Sequence, residues 1–441
     1  MLNKYKVVPL RDCCETIFSG ITPKSGGEAY TQDEDGVYFI KSGSLSNDGS
    51  LSIDITSKIK SEIHNGLMKS SKLKKNDVLI AIVGATIGKV ALFDLECDAN
   101  INQAIAAVRL KHDIIMPEFL IAYLISPFGQ AYLEYLKRPV ARANINLQEI
   151  GEIGIPLLPI ETQNKFISLY SLAKKQRNDK LQQANKLLTS ASDIVLKKLG
   201  LTFELSRTNL SYAILFSAVK NRLDADYYSP KFVDFRRQIE NSNYKVVTVD
   251  DVSENIITGF AAGKQDQADD LPEEERVPHL RPFSITPEGE LSFETKKYVP
   301  ISSLKESDYC KKNEVVFNNT NSPELVGKTT VFDSDVLCAA SNHMTRITVK
   351  DGINPYYISA FFNVLLSIGY WKLLCTNFNN QAGVNIETLK NVRIPLPPKE
   401  LQDEIAMEIM QRRGKVNALR KEADFNWKKA KKEFEEELLK G

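Results

Sequence analysis

The chain carries the stretch KVVPLRDCCETIFSG at residues 6–20 and a second copy of it, KVVTVDDVSENIITG, at residues 245–259. Seven of the fifteen positions are identical across this separation of 239 residues. An internal duplication explains one offset held over a whole segment better than coincidental similarity between two strands does. The fold is therefore expected to consist of two related halves.

The same offset holds further along the chain. Gly88-Lys89 falls on Gly327-Lys328, and Ile155-Pro156-Leu157 falls on Ile394-Pro395-Leu396. Between these blocks, over residues 37–49, the offset becomes 240 residues. The duplication therefore covers a whole globular unit and not a single motif.

Each half has the same order of predicted elements. Short β-branched runs punctuated by glycine, such as Val37–Ile40, predict strands. A compact helical segment follows, at residues 117–136 in the first copy and 355–374 in the second. A polar loop with asparagine and a proline-rich turn then lead into a long helix.

The two long helices have the clearest periodicity in the chain. Apolar residues recur in steps of three and four over residues 161–199 and 400–439, and neither stretch contains proline. A single apolar stripe of this length needs a partner, so we expect the two helices to pair as an antiparallel coiled-coil spacer. The predicted fold class is α+β, with two globular mixed α/β domains separated by two long antiparallel α-helices and an internal pseudo-repeat.

Composition excludes several classes of protein. The 441 residues include 57 basic and 56 acidic side chains, a balance that excludes a uniformly basic nucleic-acid coat but allows local basic patches. No apolar stretch approaches the roughly 20 residues of a spanning helix, and the first residues lack the apolar segment of a secretory signal. The six cysteines show no CxxC spacing, which is typical of reduced cytosolic thiols. We therefore expect a cytoplasmic protein with no membrane partner.

Residues 84–89, GATIGK, are similar to a phosphate-binding loop after a strand. However, three residues lie between the glycines where a nucleotide loop has four, and Val90 stands where Ser or Thr would hold magnesium. In the second copy Ser322 replaces the leading glycine. The preferred interpretation is a tight turn that presents Lys89 and Lys328. A divergent nucleotide hydrolase that uses these lysines remains an alternative.

Motifs for catalysis and metal binding are missing from the sequence. The four histidines are scattered, and none pairs with cysteine at metal-ligand spacing. No glycine-flanked nucleophilic serine is present. We therefore expect no catalytic residue, no metal site and no cofactor in this chain, which would then not be an enzyme.

Features of binding are better represented. Residues 158–200 carry eight Lys and Arg against three Asp and Glu, so the neutral total conceals a basic helix. Side chains in the predicted loops suit DNA, since Arg fits guanine, Asn or Gln fits adenine, and lysine on a turn fits phosphate. In the first half these are Lys41, Ser42, Ser44, Lys89, Arg138, Arg142, Asn144 and Asn146, and in the second half Arg281, Ser284, Lys328, Asn379, Asn380, Gln381 and Asn385.

Two other interpretations of these loops remain open. Asparagine-rich loops can be ordinary turn chemistry. The chain can also be a coiled-coil scaffold whose heads bind carbohydrate or protein and not DNA. Steep salt dependence of DNA binding separates the DNA-binding interpretation from this scaffold.

Taken in order, the blocks resemble the DNA-specificity subunits of type I restriction-modification systems. The resemblance is carried by residues 20–23, 76–80, 84–89, 100–104, 144–146 and 155–159 in the first half, and by residues 222–228 and 394–398 in the second. Asn318-Asn319-Thr320 replaces the Ile-Val-Gly segment in the second half, and Ser341-Asn342-His343 replaces Asn-Gln-Ala. Asn342 and His343 therefore join the predicted DNA-binding residues.

The resemblance implies an organisation and a function for the chain. Target-recognition domains are expected at residues 1–157 and 245–398, spacer helices at 158–200 and 399–441, and a connector at 201–244. Each head would read one half of an asymmetric, bipartite target in double-stranded DNA, and the chain itself would not be catalytic.

The resemblance also implies partners. The helices would dock two modification subunits that bind S-adenosylmethionine and methylate adenine, and we assign to this contact Gln163, Phe166, Tyr170, Gln402 and Ile405. A restriction subunit, where the system has one, would bring ATP and magnesium. A specificity subunit of a methylation-only or non-type-I system is the nearest alternative.

Overall fold

A computed structural model describes residues 5–24, 27–54, 56–111, 113–137, 143–204, 211–215, 217, 219, 222–294, 296–378 and 381–440. The chain divides into two compact units. The first unit comprises residues 1–181 and 420–441, and the second unit comprises residues 182–419.

Strands and helices are numbered in chain order through both units. The strands that begin the chain are β1 (Val7–Pro9), β2 (Cys14–Ser19), β3 (Tyr30–Thr31), β4 (Val37–Ile40), β5 (Ser57–Ile59), β6 (Asp77–Ala81), β7 (Val90–Phe93), β8 (Ala99–Ile101), β9 (Ile105–Leu110) and β10 (Gly154–Pro156). The later strands are β11 (Lys245–Thr248), β12 (Ser253–Thr258), β13 (Arg276–Leu280), β14 (Tyr298–Pro300), β15 (Val315–Asn318), β16 (Thr320–Asn321), β17 (Thr329–Val331), β18 (Ala339–Ala340), β19 (Met344–Val349), β20 (Thr376–Phe378), β21 (Gln381–Gly383) and β22 (Arg393–Leu396). The helices are α1 (Ser61–Asn65), α2 (Pro117–Ile125), α3 (Pro127–Tyr135), α4 (Leu147–Gly151), α5 (Ile160–Lys198), α6 (Pro230–Glu240), α7 (Pro355–Ser367), α8 (Tyr370–Leu374), α9 (Ile386–Lys390) and α10 (Lys399–Lys440).

The first unit is built on two sheets. One has the order β2-β9-β6-β7 with antiparallel neighbours, and every side chain of β6 is buried. Such a strand is covered on both faces, which is why its sequence is continuously apolar after Asp77. The other sheet has the order β3-β5-β4-β8, and in it β4 and β8 run parallel. A separate pairing of β1 with β10 joins the two ends of the repeat.

The second unit repeats this arrangement. Its main sheet has the order β12-β19-β15-β17, and its smaller sheet β14-β13-β18 again contains one parallel pair, β13 with β18. Strands β11 and β22 pair as β1 and β10 do. Helix α6 lies in the predicted connector, and its Phe232, Phe235 and Ile239 belong to the core of this unit. The predicted fold class, two mixed α/β domains in a pseudo-repeat with long helices, is confirmed.

The predicted helical segments at residues 117–136 and 355–374 are helical in the structure, and each is divided into two helices. In the first unit Ser126 ends α2 and caps α3, where its hydroxyl accepts from the Gly129 amide at 3.2 Å and Pro127 follows. Proline at the first position of a helix needs no hydrogen bond there, so the chain turns and restarts. In the second unit Gly369, with φ of 76°, separates α7 from α8.

The two long helices were predicted nearly to the residue, and each is shared between the two units. Within the first unit the start of α5 contacts the end of α10, with the rings of Phe166 and Phe434 4.8 Å apart. Within the second unit the end of α5 contacts the start of α10, where Arg412 Nη1 donates to Ser190 Oγ at 3.1 Å. The pairing is therefore antiparallel. The domain boundaries at residues 157, 200, 244 and 398 stay predictions.

A buried ion pair holds the main sheet of each unit. In the first unit Arg109 Nη2 lies 2.7 Å from Asp77 Oδ2. In the second, Arg346 Nη1 lies 3.1 Å from Glu314 Oε2, and the two side chains are 1% and 4% exposed. The pairs lie at corresponding places in the two sheets. In the first unit the pair joins β6 to β9, and in the second unit it joins Glu314, the residue before β15, to β19. Neither pair was predicted from the sequence.

Replacing Gly20 with alanine is expected to lower the free energy of unfolding of the first unit by about 1–3 kcal/mol. The added Cβ would overlap the carbonyl oxygen of Ile101, which is backbone and cannot move aside cheaply. Gly43→Ala is the matched control, because nothing lies within 4 Å of a Cβ at that position. Chemical denaturation measures the difference, and equal stability of the two variants would contradict the close approach.

Tryptophan fluorescence can report each unit separately in such experiments. The chain has two tryptophans, Trp371 in the second unit and Trp427 in the first. Both side chains are buried, so emission changes when the unit unfolds. A Trp371→Phe background therefore follows the first unit, and a Trp427→Phe background follows the second.

Among the described residues, no helix combines the length and apolar character needed to cross a membrane.

Candidate nucleic-acid interface

Backbone hydrogen bonds gather the loops of the first unit at the carboxyl ends of the parallel strands β4 and β8. The amide of Gly20 donates to Asn102 O at 3.3 Å, and the amide of Asn102 donates to Ile40 O at 3.1 Å. Loop residues that follow β2, β4 and β8 are thereby neighbours. Carboxyl ends of parallel strands are common positions for ligand sites, because the loops there can vary without disturbing the sheet.

Two more loops join this edge. The amide of Ile82 donates to Ala104 O at 2.9 Å, and the amide of Gly84 donates to Ala143 O at 2.9 Å. We call the whole surface the first loop edge, and it consists of residues 20–22, 41–44, 83–88, 102–104 and 143–144. The structure thus brings together loops that lie far apart in the sequence.

Lys41 is the best-placed cation of the first loop edge. Its side chain is exposed, and Nζ donates to Ser57 Oγ at 3.1 Å. Nζ also lies 5.6 Å from the ring centroids of Tyr30 and Phe39. Attraction to the ring faces holds the ammonium in place, so it loses little conformational entropy on binding an anion. Lys41 is therefore suited to a phosphate contact.

Lys58, which the sequence did not single out, provides a second cation beside Lys41. Its Nζ lies 5.4 Å from the ring of Tyr38 and donates to the carbonyl oxygens of Asp33 and Glu34 at 3.2 and 2.6 Å. The signal that could have identified it is the alternation of Lys with Tyr and Phe on paired strands, which is common in surfaces that bind single or paired bases.

The other predicted residues of the first unit that the structure describes differ in exposure, and one of them caps a helix. Asn144 is exposed on the edge next to Val83, and Lys89 and Ser42 are half-buried. Ser44 is buried. Asn146 caps α4, where its side chain accepts from the Glu149 amide at 2.8 Å. Capping accounts for Asn146 without DNA.

The second unit has an equivalent surface. The amide of Ser341 donates to Leu280 O at 2.9 Å, and the amide of Phe260 donates to Ala340 O at 2.7 Å. The amide of Asn319 donates to His343 O at 3.0 Å. We call this surface the second loop edge, and it consists of residues 259–260, 281–284, 318–320, 341–343 and 381–384.

Asn318 and Asn319 organise the second loop edge from inside, a role that the sequence did not reveal. The Asn318 Nδ2 group donates to Thr320 O at 2.9 Å and to His343 O at 3.0 Å. The Asn319 Nδ2 group donates to Thr345 Oγ1 at 2.9 Å. Both side chains are buried, so they shape the edge and do not meet a ligand directly. The sequence contains one signal for this role, because Asn318 and Asn319 stand where the first half of the repeat has the apolar residues Ile and Val.

The expectation that Lys328 is presented on a turn is wrong. Its side chain is 6% exposed, and Nζ donates to Pro282 O at 2.9 Å and to Ile285 O at 2.6 Å. Burial lowers the pKa of Lys328. The lysine therefore fastens the 282–285 loop to the sheet, which leaves the nucleotide-hydrolase alternative without this phosphate-binding cation.

The remaining predicted residues of the second unit differ in their positions. Arg281 is half-buried and its amide donates to the Oγ of Ser284, a buried side chain, at 3.1 Å. Asn342 and Gln381 are exposed on the edge. Asn385 caps α9, where its side chain accepts from the Thr388 amide at 2.7 Å. Four predicted residues lie outside the described residues, namely Arg138, Arg142, Asn379 and Asn380.

The predicted partner contacts lie largely inside the chain. Gln163 Oε1 accepts from the Met116 amide at 2.8 Å, and Gln402 Oε1 accepts from the Asn354 amide at 2.9 Å. Both glutamines are buried. Gln163 connects the start of α5 to the residue before α2, and Gln402 connects the start of α10 to the residue before α7. Their duplicated role explains their match in the repeat, and partner binding by them stays a prediction.

The other predicted partner residues are also held within the chain. Phe166 and Ile405 are buried in the cores of the first and second units. Tyr170 is half-buried, and its hydroxyl donates to Asp48 O at 2.6 Å. Buried rings and alkyl groups offer little surface to another subunit, and partner binding by these residues stays a prediction.

Groups of three or more His, Cys, Asp or Glu that could hold a metal ion are not found among the described residues.

The chain is similar to proteins of known type I restriction-modification systems. The type I restriction enzyme EcoBI specificity subunit of Escherichia coli is 33% identical over 202 residues, which cover 43% of this chain and 42% of that relative. A solved structure on complex assembly and conformational transition of the type I R-M system is 16% identical, covers 99% of this chain and 96% of that chain, and has a TM-score of 0.48. The type I restriction-modification S subunit from M. genitalium is 12% identical, with 97% and 96% covered and a TM-score of 0.44.

Two loop edges of one design, carried on two units that share a pair of long helices, define a duplicated two-unit protein. The chain belongs to the family of the type I restriction modification DNA specificity domain, whose model matches residues 3–185 and again residues 241–423. The two matched segments start 238 residues apart (241 minus 3), which agrees with the duplication. The alignment with the EcoBI relative spans less than half of that protein's length.

Proposed function

We propose that the chain is the DNA-recognition subunit of a type I restriction-modification system and is not itself catalytic. Each loop edge reads one half of a bipartite target in double-stranded DNA. Because the two edges carry different side chains, the two halves differ in sequence, and the target is asymmetric. Two identical edges would instead read a palindrome.

The observation that carries this proposal is the convergence of polar loops at one edge of each unit. Lys41 and Asn144 are exposed on the first loop edge, and the second loop edge carries the exposed Asn342 and the half-buried Arg281. A cation together with an amide can contact a phosphate and a base edge at once. Residues 1–157 and 245–398 are the segments that we assign to the two recognition domains.

The long helices supply the surface for partner subunits. Leu169 and Leu172 of α5 are 53% and 56% exposed, and Met407 and Met410 of α10 are 58% and 47% exposed. Exposed apolar groups of this size on a helix mark an interaction surface more often than a solvated one. The two segments matched by the family model are offset by 238 residues at both ends (241 minus 3, and 423 minus 185), and with this offset Leu169 and Leu172 correspond to Met407 and Met410, so the two patches are equivalent.

Two equivalent patches favour two copies of one partner. We propose that these are modification subunits, which bring S-adenosylmethionine and methylate adenine in the cytoplasm, where chromosomal DNA lies. A restriction subunit would bring ATP and magnesium. In this arrangement the chain contributes recognition and assembly, and the chemistry belongs to its partners.

Exchange of one recognition segment is expected to change one half of the methylated sequence and to leave the other half intact. Residues 6–157 are replaced by the matching segment of a related subunit with a different target. The hybrid is expressed with its modification subunits, and methylated adenines are mapped by sequencing. Exchange of residues 245–398 is the matched experiment and should alter the other half. An unchanged motif after both exchanges would exclude DNA recognition by these segments.

A further inference from the structure

The second loop edge contains a cluster of histidine and arginine that the first loop edge lacks. His279 is the second-last residue of β13 and pairs with Ala339 of the parallel strand β18, and Arg281 is the first residue after β13. Ser341 and His343 come directly after β18, and the amide of Ser341 donates to Leu280 O. All four side chains therefore lie at the same end of the parallel pair.

Several polar atoms of this cluster are buried without a hydrogen bond. Among the described residues these include both ring nitrogens of His279, the Nε of Arg281 and the Oγ of Ser341. His279 is 3% exposed and Ser341 is 2% exposed. The carbonyl groups of Phe260 and Ala340 lie near the His279 ring, but without the geometry of a hydrogen bond. Buried polar groups are satisfied in almost all native sites, so this cluster is built to receive a polar ligand.

The charge of the cluster comes from Arg281. The pKa of His279 is lowered to about 4, mainly by burial and secondly by the charge of Arg281. The same two causes lower the pKa of His343. Both rings are therefore neutral near pH 7, while the guanidinium keeps its charge. Burial is the larger cause for His343, and an anion that neutralises Arg281 removes the second cause and thereby raises the pKa of His343.

Other charged side chains near the cluster contact partners outside it. Lys297, the residue before β14, and, more weakly, Arg281 hold the pKa of Asp269 below its ordinary value, and Lys297 Nζ lies 2.6 Å from Asp269 Oδ2. The guanidinium of Arg276 lies 4.1 Å from the ring centroid of Tyr298. For His343, Arg281 is the charge that acts on the ring.

The first unit provides an internal comparison. With the offset of 240 residues, Phe39 stands at the position of His279 and Lys41 at that of Arg281, and Phe39 is fully buried. With the offset of 239, Ala104 stands at the position of His343. The first loop edge therefore has a cation at this place but no group that titrates near neutral pH.

We propose that Arg281, Ser341 and His343, above the buried ring of His279, form an anion site that takes one DNA phosphate, and that His343 gains a proton as the phosphate binds. This inference rests on the proposed function. Binding to the second half of the target is then linked to proton uptake, and binding to the first half is not. The proton comes from solvent, and no covalent bond changes.

The sign of the pH dependence follows from this linkage. The pKa of His343 is low in the free protein and higher with the phosphate bound, so the bound state holds more protons. Affinity for the DNA target therefore increases as the pH falls from about 8 to about 6, by about threefold for each pH unit. His343→Asn should flatten this dependence, because asparagine can still donate a hydrogen bond but does not titrate.

The test uses the full chain with its modification subunits and a duplex that carries the methylated motif. Calorimetry near pH 7 in two buffers of different ionisation enthalpy counts the protons taken up per duplex bound. The wild type should take up protons, and H343N should take up fewer. Arg281→Gln should weaken binding about tenfold. The matched control Lys41→Gln in the first unit should weaken binding without changing proton uptake.

Two further duplexes separate the possible failures. A duplex with the second half-site scrambled should show the proton uptake of H343N. If the motif is not preferred over a fully scrambled duplex, the proposed function is wrong. If the motif is preferred but proton uptake is the same in wild type and H343N, only the anion site is wrong. Unchanged Trp371 emission in H343N and R281Q excludes misfolding as the cause of any loss.

Discussion

Arg346→Met should lower the free energy of unfolding of the second unit by about 3–5 kcal/mol. The variant leaves Glu314 buried, with its carboxylate deprived of the guanidinium 3.1 Å away. Arg346 also donates to the carbonyl oxygens of Ser307 and Tyr309, so these groups lose their donor too. Methionine fills much of the same volume, so the loss reports the charge and hydrogen bonds more than a cavity.

The measurement is chemical denaturation of the full chain in the Trp427→Phe background, where Trp371 follows the second unit. The matched control is Asp335→Asn, which removes an exposed ion pair with Lys312 at 2.5 Å. Because exposed pairs contribute about 0–1 kcal/mol, this variant should unfold almost like the wild type. Equal losses for the buried and the exposed pair would contradict the assignment. The double variant Glu314→Leu with Arg346→Met should recover part of the loss, since no charge is left unpaired.

The sequence was sufficient to predict the elements whose pattern is local. The duplication predicted the same succession of elements along the chain in both halves, and the step of three and four residues located both long helices. Strand β6 was predictable because a run of buried β-branched residues leaves few alternatives. The breaks at Ser126 and Gly369 carried a local signal as well, namely serine before proline and an isolated glycine, but the apolar pattern around them outweighed it.

The interior of the candidate site depends on contacts between distant residues, and these have no local pattern. Lys328 follows a glycine just as Lys89 does, yet its ammonium group is covered by the carbonyls of Pro282 and Ile285, more than 40 positions earlier in the chain. The pair Glu314 and Arg346 is likewise 32 residues apart. An arginine within the buried strand β19 was the one available hint, because a charge there must have a partner.

Loops were predicted better than the side chains on them. Lys41 and Asn342, which are exposed on the edges, lie within two residues of the end of a strand. Asn146 and Asn385 also follow turns, but their amide groups cap helices. Asparagine suits both roles, so its presence in a loop does not distinguish a ligand contact from a cap. The distinction needs the position of the next helix, which only the structure provides.

Phe434→Ala should lower the free energy of unfolding of the first unit by about 3–5 kcal/mol. The Phe434 ring is 5% exposed and lies 4.8 Å from the ring of Phe166 and 6.3 Å from that of Phe119, in an edge-on and a tilted arrangement. The ring therefore fastens the end of α10 both to the start of α5 and to α2. Removing it leaves a cavity bounded by three helices, which cannot close without moving one of them.

The same helix offers the matched control for this variant. Phe425 is also on α10 but is 67% exposed, so Phe425→Ala should change the stability of the unit by no more than about 0.5 kcal/mol. Denaturation in the Trp371→Phe background follows Trp427, whose ring lies 5.5 Å from that of Tyr170 and so reports the helix pair directly. Protease cleavage within residues 420–440 should also become faster in F434A and not in F425A, since the end of α10 would no longer be fastened to the first unit. Equal stability of the two variants would mean that the first unit holds together without the end of α10, and the antiparallel pairing would then not be needed for its fold.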